Sequence, residues 1–290
     1  MRAAAIFGLG SSTRDLRDFQ KNSSVEWMIG LPSEPECVDA ILVFGGDGTV
    51  HRHLGALVNR KVPVLVVPAG SGNDFARALA IRKVADSLAA WNKFASGGTN
   101  CRTNDLGLVK PMGPSGSSEI KPTYFSCAAG VGLDGEVTRQ ANRLPRWLKA
   151  HGGYALSFPG ALAAFRPFRL TLRSDDAEAG ETASRAVMVA IFANAPFYGG
   201  GMKVAPRARM DDGRLDVCLI RALAKVKVLG LFPSVYFGRH VGVDGVEYFT
   251  AACSVAETDR ALSVYADGEY VCETPAEFRA VRRGLRVIVP

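Results

Sequence analysis

The chain of 290 residues has no uninterrupted apolar run of 18 or more, so no membrane-spanning helix is expected. None of its six cysteines forms a Cys-x-x-Cys pair, and its four histidines do not stand at zinc-ligand spacing. Neither a structural zinc nor a disulfide framework is therefore expected; the thiols read as buried groups of a reducing compartment. Repeats and low-complexity tracts are missing too. A composition of 48% hydrophobic and 22% charged residues excludes a disordered tail, a collagen-like chain and a coiled coil. The opening Met1–Ser12 is too briefly apolar for a signal peptide and reads as a first strand.

Acid is absent from one long stretch. Between Glu136 and Asp175 there is no Asp or Glu, but seven cations: Arg139, Arg143, Arg146, Lys149, Arg166, Arg169 and Arg173. Elsewhere cations and acids balance at 28 each, so the whole net charge of +7 sits in Val137–Ser174. Such localised basicity points to an anionic partner, and a membrane surface is favoured. The same stretch contains a predicted helix, Leu144–Ala164, with Trp147, Leu148, Tyr154, Leu156 and Phe158, a mixture suited to an amphipathic surface helix. Nucleic acid is disfavoured, because the basic segment lacks interleaved aromatics on a recognisable platform.

The first hundred residues alternate strand and helix. Strands are predicted at Ala3–Leu9, Val25–Ile29, Ala40–Phe44 and Val62–Val67, and helices to about Lys21, at His51–Asn59 and from Asn73 to Ala80. Continuous apolar runs suit strands buried on both faces, and the alternation implies a parallel sheet covered by helices. After about Cys101 strands dominate: Thr103–Val109, Thr123–Ala128, Arg169–Arg173, Ala186–Ala193, Leu215–Ile220, Leu262–Ala266 and Leu285–Val289, with one further helix at about Leu223–Tyr236. Lys110–Lys121, rich in Pro, Gly and Ser, reads as a hairpin loop. The expected fold class is α/β: an N-terminal domain with a parallel sheet and helices over 1–104, then a mainly antiparallel β domain over 105–276, with about 277–290 free to return to the first.

Two glycine loops follow buried strands. Gly45-Gly46-Asp47-Gly48-Thr49 precedes a helix, where glycines let backbone N–H groups approach a phosphate and the helix N-terminus favours an anion. Asp47 is placed to orient a magnesium–phosphate group. The second loop, Pro68-Ala69-Gly70-Ser71-Gly72-Asn73-Asp74-Phe75-Ala76-Arg77, repeats the arrangement, with Asn73 or Asp74 as a helix cap.

Together these loops resemble the diacylglycerol kinase catalytic family, which includes bacterial lipid kinases and the sphingosine and ceramide kinases. Further segments match in family order: Ala129–Val137 (AGVGLDGEV), Asn194–Met202 with Pro206 and Asp211-Asp212-Gly213-Arg214-Leu215-Asp216, and Asp267-Gly268-Glu269. The resemblance implies an ATP-dependent lipid kinase that is cytoplasmic and peripheral to the membrane, with the nucleotide between an α/β domain and a β-sandwich domain. It implies that both glycine loops hold the phosphates with Glu269 beside them, and that Asp267 is the general base. It further implies a magnesium held by Asp212 and by carbonyls near Arg209 and Arg214. The lipid acceptor, diacylglycerol or a similar neutral lipid, has no residue code, and the oligomeric state, a homodimer included, stays open.

The chain departs from the family where Arg52 replaces a common Glu, where Phe7-Gly8-Leu9-Gly10 replaces Asn-Pro, and where Ser71 replaces Thr. Two alternatives stay in view: an NAD kinase-like or other small-molecule kinase, because such enzymes also use Gly-Gly-Asp-Gly-Thr, and, because of Arg52 and the altered first loop, a nucleotide-binding regulator without turnover. His51 and His53, two apart on a helix, read as surface or packing residues. Lys203, Arg207 and Arg209 read equally as a phosphate contact or a solvated loop. Asp134-Gly135-Glu136 reads as a turn beside the lipid cleft.

Overall fold

The computed structural model describes residues 1–21, 25–32, 34, 37–113, 121–145, 148, 152–175 and 184–290. Strands β1 (Arg2–Phe7), β2 (Glu26–Ile29), β3 (Ala40–Gly45) and β4 (Val64–Pro68) pair in parallel in the order β2-β1-β3-β4. Ala3, Ala4 and Ala5 and all of β3 are buried, as expected of central parallel strands with both faces covered. Helix α1 (Asp47–Arg60) starts four residues before the predicted His51, because Asp47-Gly48-Thr49 is its first turn rather than a loop. After α2 (Asp74–Ala78) comes α3 (Val84–Ala95), which the sequence reading lacks. The Asp86 side chain accepts the N–H groups of Arg82 and Lys83 at 2.8 and 3.0 Å and so starts α3. The fully buried Trp91 anchors it, its Nε1 donating to the Phe19 carbonyl at 3.2 Å. The helix predicted before Lys21 consists of two 3₁₀ turns, Thr13–Leu16 and Phe19–Lys21.

The second half adds β5 (Cys101–Pro111), β6 (Thr123–Phe125), β7 (Ala128–Gly132), α4 (Leu133–Arg143), α5 (Gly153–Ala164), β8 (Phe168–Ser174) and β9 (Arg185–Ala193). It continues with β10 (Leu215–Arg221), α6 (Lys225–Tyr236), β11 (Val246–Ala251), β12 (Cys253–Thr258), β13 (Ser263–Ala266), β14 (Glu269–Glu273) and β15 (Ala276–Ile288). The strands of this half pair antiparallel. β15 joins the two halves: its early residues pair with β12, and Val287 lies parallel to Val64 of β4. β5 accompanies it along most of its length, so residue 104 falls inside a strand.

The antiparallel part of this one continuous sheet curls back on itself. Phe192 of β9 stacks on Phe278 of β15 at 3.8 Å, although β8 and β12 lie between their strands. Inside the curl Ala190 and Phe192 join one core, while Val189, Ile191 and Ala193 on the other face of β9 join a second core under α4, α5 and α6. This alternation is the two-residue period of a strand covered on both sides.

The single helix predicted over Leu144–Ala164 is a correction. α4 ends at Arg143, Leu144 is extended (ψ 148°), and α5 starts after the left-handed Gly152 (φ 94°). Pro145 forces the break, since a residue before proline avoids the helical region. Asp134-Gly135-Glu136 is likewise the first turn of α4 rather than a loop turn, a place where acids suit the helix N-terminus. Arg146, Trp147 and Lys149, and most of the Lys110–Lys121 loop, lie outside the described residues. Among the described residues no helix is long and apolar enough to cross a membrane.

Asp105 of β5 ties β15 to the turn that precedes β10. Its carboxyl accepts the N–H of Gly213 at 2.6 Å and of Arg283 at 2.7 Å, and its own N–H donates to the Met210 carbonyl at 2.7 Å. An Asp105→Ala substitution strands two N–H donors around a buried position. It should lower the unfolding free energy by about 2–4 kcal/mol in urea denaturation; a loss below about 0.5 kcal/mol would show that this tie is not structural.

Candidate active site

The two glycine loops meet back to back at the ends of β3 and β4. A Cβ on Gly46 would stand 2.8 Å from the Gly70 Cα, and one on Gly70 would stand 2.5 Å from the Gly46 Cα. Only glycine fits at either position. Asn73, left-handed at φ 53°, closes the second loop: its Oδ1 accepts the Gly70 N–H at 2.9 Å, and its Nδ2 donates to the Gly70 carbonyl at 2.6 Å. Asn73 thus occupies the cap position of α2 without capping it. The cap comes from the other loop. Both Asp47 oxygens accept α2 N–H groups, those of Asp74 and Phe75, each at 3.0 Å.

Asp74 extends the chain of contacts. Its carboxyl accepts the Gly200 N–H at 2.7 Å and the Arg77 guanidinium at 3.0 Å, which connects the second loop to the Gly199-Gly200-Gly201 turn. Burial, and next the charge of Asp47, push the Asp74 carboxyl up to about 7 despite Gly200 and Arg77. Burial also raises Asp47. Two buried carboxyls so close cannot both ionise cheaply.

Asp267 stands opposite, in the turn between β13 and β14, left-handed at φ 49° and followed by Gly268 at φ 86°. Its Oδ1 accepts the N–H groups of Cys127 (2.8 Å) and Ala128 (3.3 Å). Its Oδ2 accepts the Ser126 N–H (2.7 Å) and Ser126 hydroxyl (3.1 Å) and faces His51 Nδ1 at 3.3 Å. His51 belongs to α1, so this contact spans the two halves. Burial opposes its protonation, but the hydrogen bond and charge of Asp267, with Glu269, more than compensate and raise its pKa. The sequence reading missed His51. The signal was its i+4 spacing from Asp47, which puts it one turn further along the same helix face. His53 stays apart, lowered by burial and the charge of Arg52.

A cleft of about 650 Å³ runs between these groups. Gly46, Asp47, Gly48, Thr49, Gly70, Ser71, Gly72 and Asp74 form one wall, and Asp267 and Glu269 face it. Gly45 lies behind the wall at the end of β3, and Asn73 braces the second loop from inside. The departures line the cleft as well: Arg52, Leu9 and Gly10 are in its surface. At the far end Asp134 accepts the hydroxyls of Tyr154 at 2.6 Å and Tyr198 at 3.2 Å. Burial pushes this carboxyl up to about 6 although both hydroxyls counter it. Both tyrosines line the cleft.

Asp212, Arg209 and Arg214 lie away from the cleft lining. Asp212 is exposed, with one oxygen accepting the Arg214 N–H at 3.0 Å, and the Arg209 side chain pairs with Asp211 at 3.1 Å. Among the described residues no group of three or more His, Cys, Asp or Glu could hold a metal ion. This turn therefore offers a cation fewer than three such side chains, and the rest of its shell would be main-chain carbonyls and water. Lys203 and Arg207 do not line the cleft either.

The raised Asp74 carboxyl has a measurable consequence. A carboxyl with a raised folded-state pKa contributes stability that is present below its unfolded value, near 4, and lost as pH climbs to about 7. The ligand-free Asp74→Asn variant should match wild type in Tm at pH 4 and exceed it by several degrees at pH 8. A Tm difference that does not change with pH would contradict the shift.

Comparison with known proteins agrees with this arrangement. Residues 20–107 match the diacylglycerol kinase catalytic domain, and 127–289 match the YegS C-terminal NAD kinase beta sandwich-like domain. The chain is 34% identical over 254 residues to a diacylglycerol kinase of Mycobacterium tuberculosis, covering 87% of this chain and 77% of the relative. It is 25% identical over 254 residues to a diacylglycerol kinase of Bacillus subtilis, covering 87% and 78%. A crystal structure of a diacylglycerol kinase from Bacillus anthracis shares the fold, with TM-score 0.68, 17% identity and 100% and 97% coverage. So does an NAD kinase from Archaeoglobus fulgidus in complex with ATP, at TM-score 0.56, 15% identity and 99% and 93% coverage. With a catalytic α/β half, a β-sandwich-like half and a cleft of matching motifs between them, the chain belongs to the diacylglycerol kinase and YegS-like family of lipid kinases.

Proposed function

We propose that the protein transfers the γ-phosphoryl group of magnesium-bound ATP to the hydroxyl of diacylglycerol or a similar neutral lipid drawn from a membrane surface. The observation that carries this reading is the placement of Asp267 and Glu269 in one cleft with both glycine loops. The phosphates would rest on the N–H groups of the loops and the N-terminus of α1, where partial positive charge collects. The magnesium arriving with the nucleotide would neutralise the carboxyls of Asp47 and Asp74 that burial raises.

Asp267 would take the proton of the acceptor hydroxyl as its oxygen bonds to the γ-phosphorus and the bond to the ADP oxygen breaks. Both of its oxygens already accept hydrogen bonds, so one donor must yield, and His51 and the Ser126 hydroxyl are the side chains able to turn away. Positioning and charge neutralisation are the main demands of phosphoryl transfer. A resident magnesium at Asp212, with the carbonyls of Arg209 and Arg214, would brace its turn and take no part in the reaction.

Labelled ATP, magnesium and a panel of diacylglycerol, ceramide, sphingosine, monoacylglycerol and NAD test the reading. The expected product is a phosphorylated neutral lipid. Label on NAD alone, or on no acceptor, would overturn the reading. Asp267→Asn should lower kcat by about 10²–10⁴-fold with the KM for ATP within a few fold. Wild-type turnover in that variant would remove Asp267 as the base and leave Asp47 as the next candidate.

A further inference from the structure

Helices α5 and α6 lie side by side. The rings of Phe158 and Phe232 stack at 4.0 Å between them, and the Lys225 ammonium donates to the Ala163 carbonyl. Each helix buries one face, through Phe158, Ala161 and Leu162 in α5 and Val228, Leu231 and Val235 in α6. Their outward faces are apolar too. On α6 Val226 is 75% and Leu229 46% exposed, and Phe237, just past its end, is 69% exposed. The spacing i, i+3, i+11 puts these three on one stripe, and the exposed Gly230 and Pro233 between them add no polar side chain. On α5 Leu156 is 56% exposed and followed by the exposed Pro159 and Gly160. Single exposed apolar residues are ordinary. A whole helix face without a charge, beside a second one, marks a surface that meets something other than water.

Charge and position identify the occupant. No Asp or Glu occurs from Val217 to Val243, and α5 carries no charge at all. Lys227 and Arg239 flank the α6 stripe, and the Arg239 guanidinium lies 5.9 Å from the centre of the Phe237 ring. Apolar side chains bordered by cations match a negatively charged lipid surface. The same two helices reach the cleft: Tyr154 opens α5, Tyr236 closes α6, and both line it. Apart from the rings of Tyr154, Tyr198 and Tyr236, the cleft itself offers few apolar side chains, Leu9, Ala69, Cys127 and Ala141. That is too little to bury two acyl chains, so an acceptor has to keep its tails in the bilayer while its hydroxyl enters.

The expected basic face over Val137–Ser174 is a weaker candidate. Arg139 is bonded to Glu136 and Arg173 to Glu257, so part of that charge is neutralised at short range.

We propose that the outward face of α5 and α6, centred on Val226, Leu229 and Phe237, docks on an anionic lipid bilayer and sets the cleft against it. The proposal rests on the lipid-kinase reading for its purpose, but its test does not need turnover. Flotation of the full chain with vesicles of phosphatidylcholine and phosphatidylglycerol in equal parts should bring protein to the lipid fraction. Val226→Ser/Leu229→Ser/Phe237→Ser should lower the partition coefficient about tenfold or more, and Lys227→Glu/Arg239→Glu should lower it on these vesicles but not on pure phosphatidylcholine. Both variants should phosphorylate water-soluble dioctanoylglycerol at the wild-type rate and vesicle-borne diacylglycerol more slowly. Three results would each overturn the proposal: wild type that does not float, the triple variant floating like wild type, or sedimentation showing a wild-type dimer that the triple variant splits, which would assign the face to a second copy of the chain. Failure of wild type to phosphorylate any lipid, with flotation intact and sensitive to the variants, would count against the kinase reading and leave the docking face standing.

Discussion

The cleft depends on one carboxyl. Asp47 belongs to the first glycine loop, yet its two oxygens cap the helix that follows the second. The four leading N–H groups of any helix need acceptors from outside it, and α2, only five residues long, has little internal hydrogen bonding with which to hold itself. Asp47 therefore fixes α2 and pulls the second loop against the first. The Gly46–Gly70 contact allows the approach, because any side chain there would hold the loops apart. Asp74 then fastens the assembly to Gly200, and Asp267 fastens its own turn to residues 126–128. Asp47, Asp74 and Asp267 each accept main-chain N–H groups of a different segment, which is how glycine-rich turns without side-chain contacts hold a shape. The cost is electrostatic: burial raises Asp47, Asp74 and Asp134 together.

That arrangement explains which parts of the protein could be read in the amino-acid order. Parallel strands buried on both faces appear as apolar runs, and β1, β3 and β4 were legible to within two residues. The glycine loops were legible because their spacing from those strands is short and local. Helix α3 was not, since its start rests on Asp86 reaching back to Arg82 and Lys83, and its anchor is a contact between Trp91 and Phe19 far away in sequence. β11, β12 and β14 were missed for a related reason: they carry many half-exposed residues, so hydrophobicity alone barely marks them. Pro145 was visible, and its effect on Leu144 was the local rule that the long-helix expectation overlooked.

The side chains of the site divide the same way. Membership of Asp47, Asp74, Asp267 and Glu269 in one cleft was legible from motif order. Their roles were not, because the partner of each lies in another segment. Asn73 looked like a cap and proves to be a turn brace, while the cap is Asp47, 27 residues upstream of the Asp74 whose N–H it accepts. His51 looked like a packing residue until the fold brought Asp267 to it across 216 residues of chain. The charge pattern behaves alike: a count along the chain finds the acid-free stretch, but β12 brings Glu257 to Arg173, and no count foresees that pairing. The continuous apolar faces of α5 and α6 likewise appear only once the buried faces are known.

The central claim is that Asp47 holds α2, and with it the second glycine loop, in place. Amide hydrogen exchange at Asp74 and Phe75 tests this most directly, by comparing ligand-free wild type with Asp47→Ala. Losing an acceptor for a buried N–H costs about 1–3 kcal/mol, so exchange at these two amides should speed up by about 10–10²-fold, while the amides of β3 and β4 keep their protection. Unchanged exchange at Asp74 and Phe75 in the variant would contradict the account.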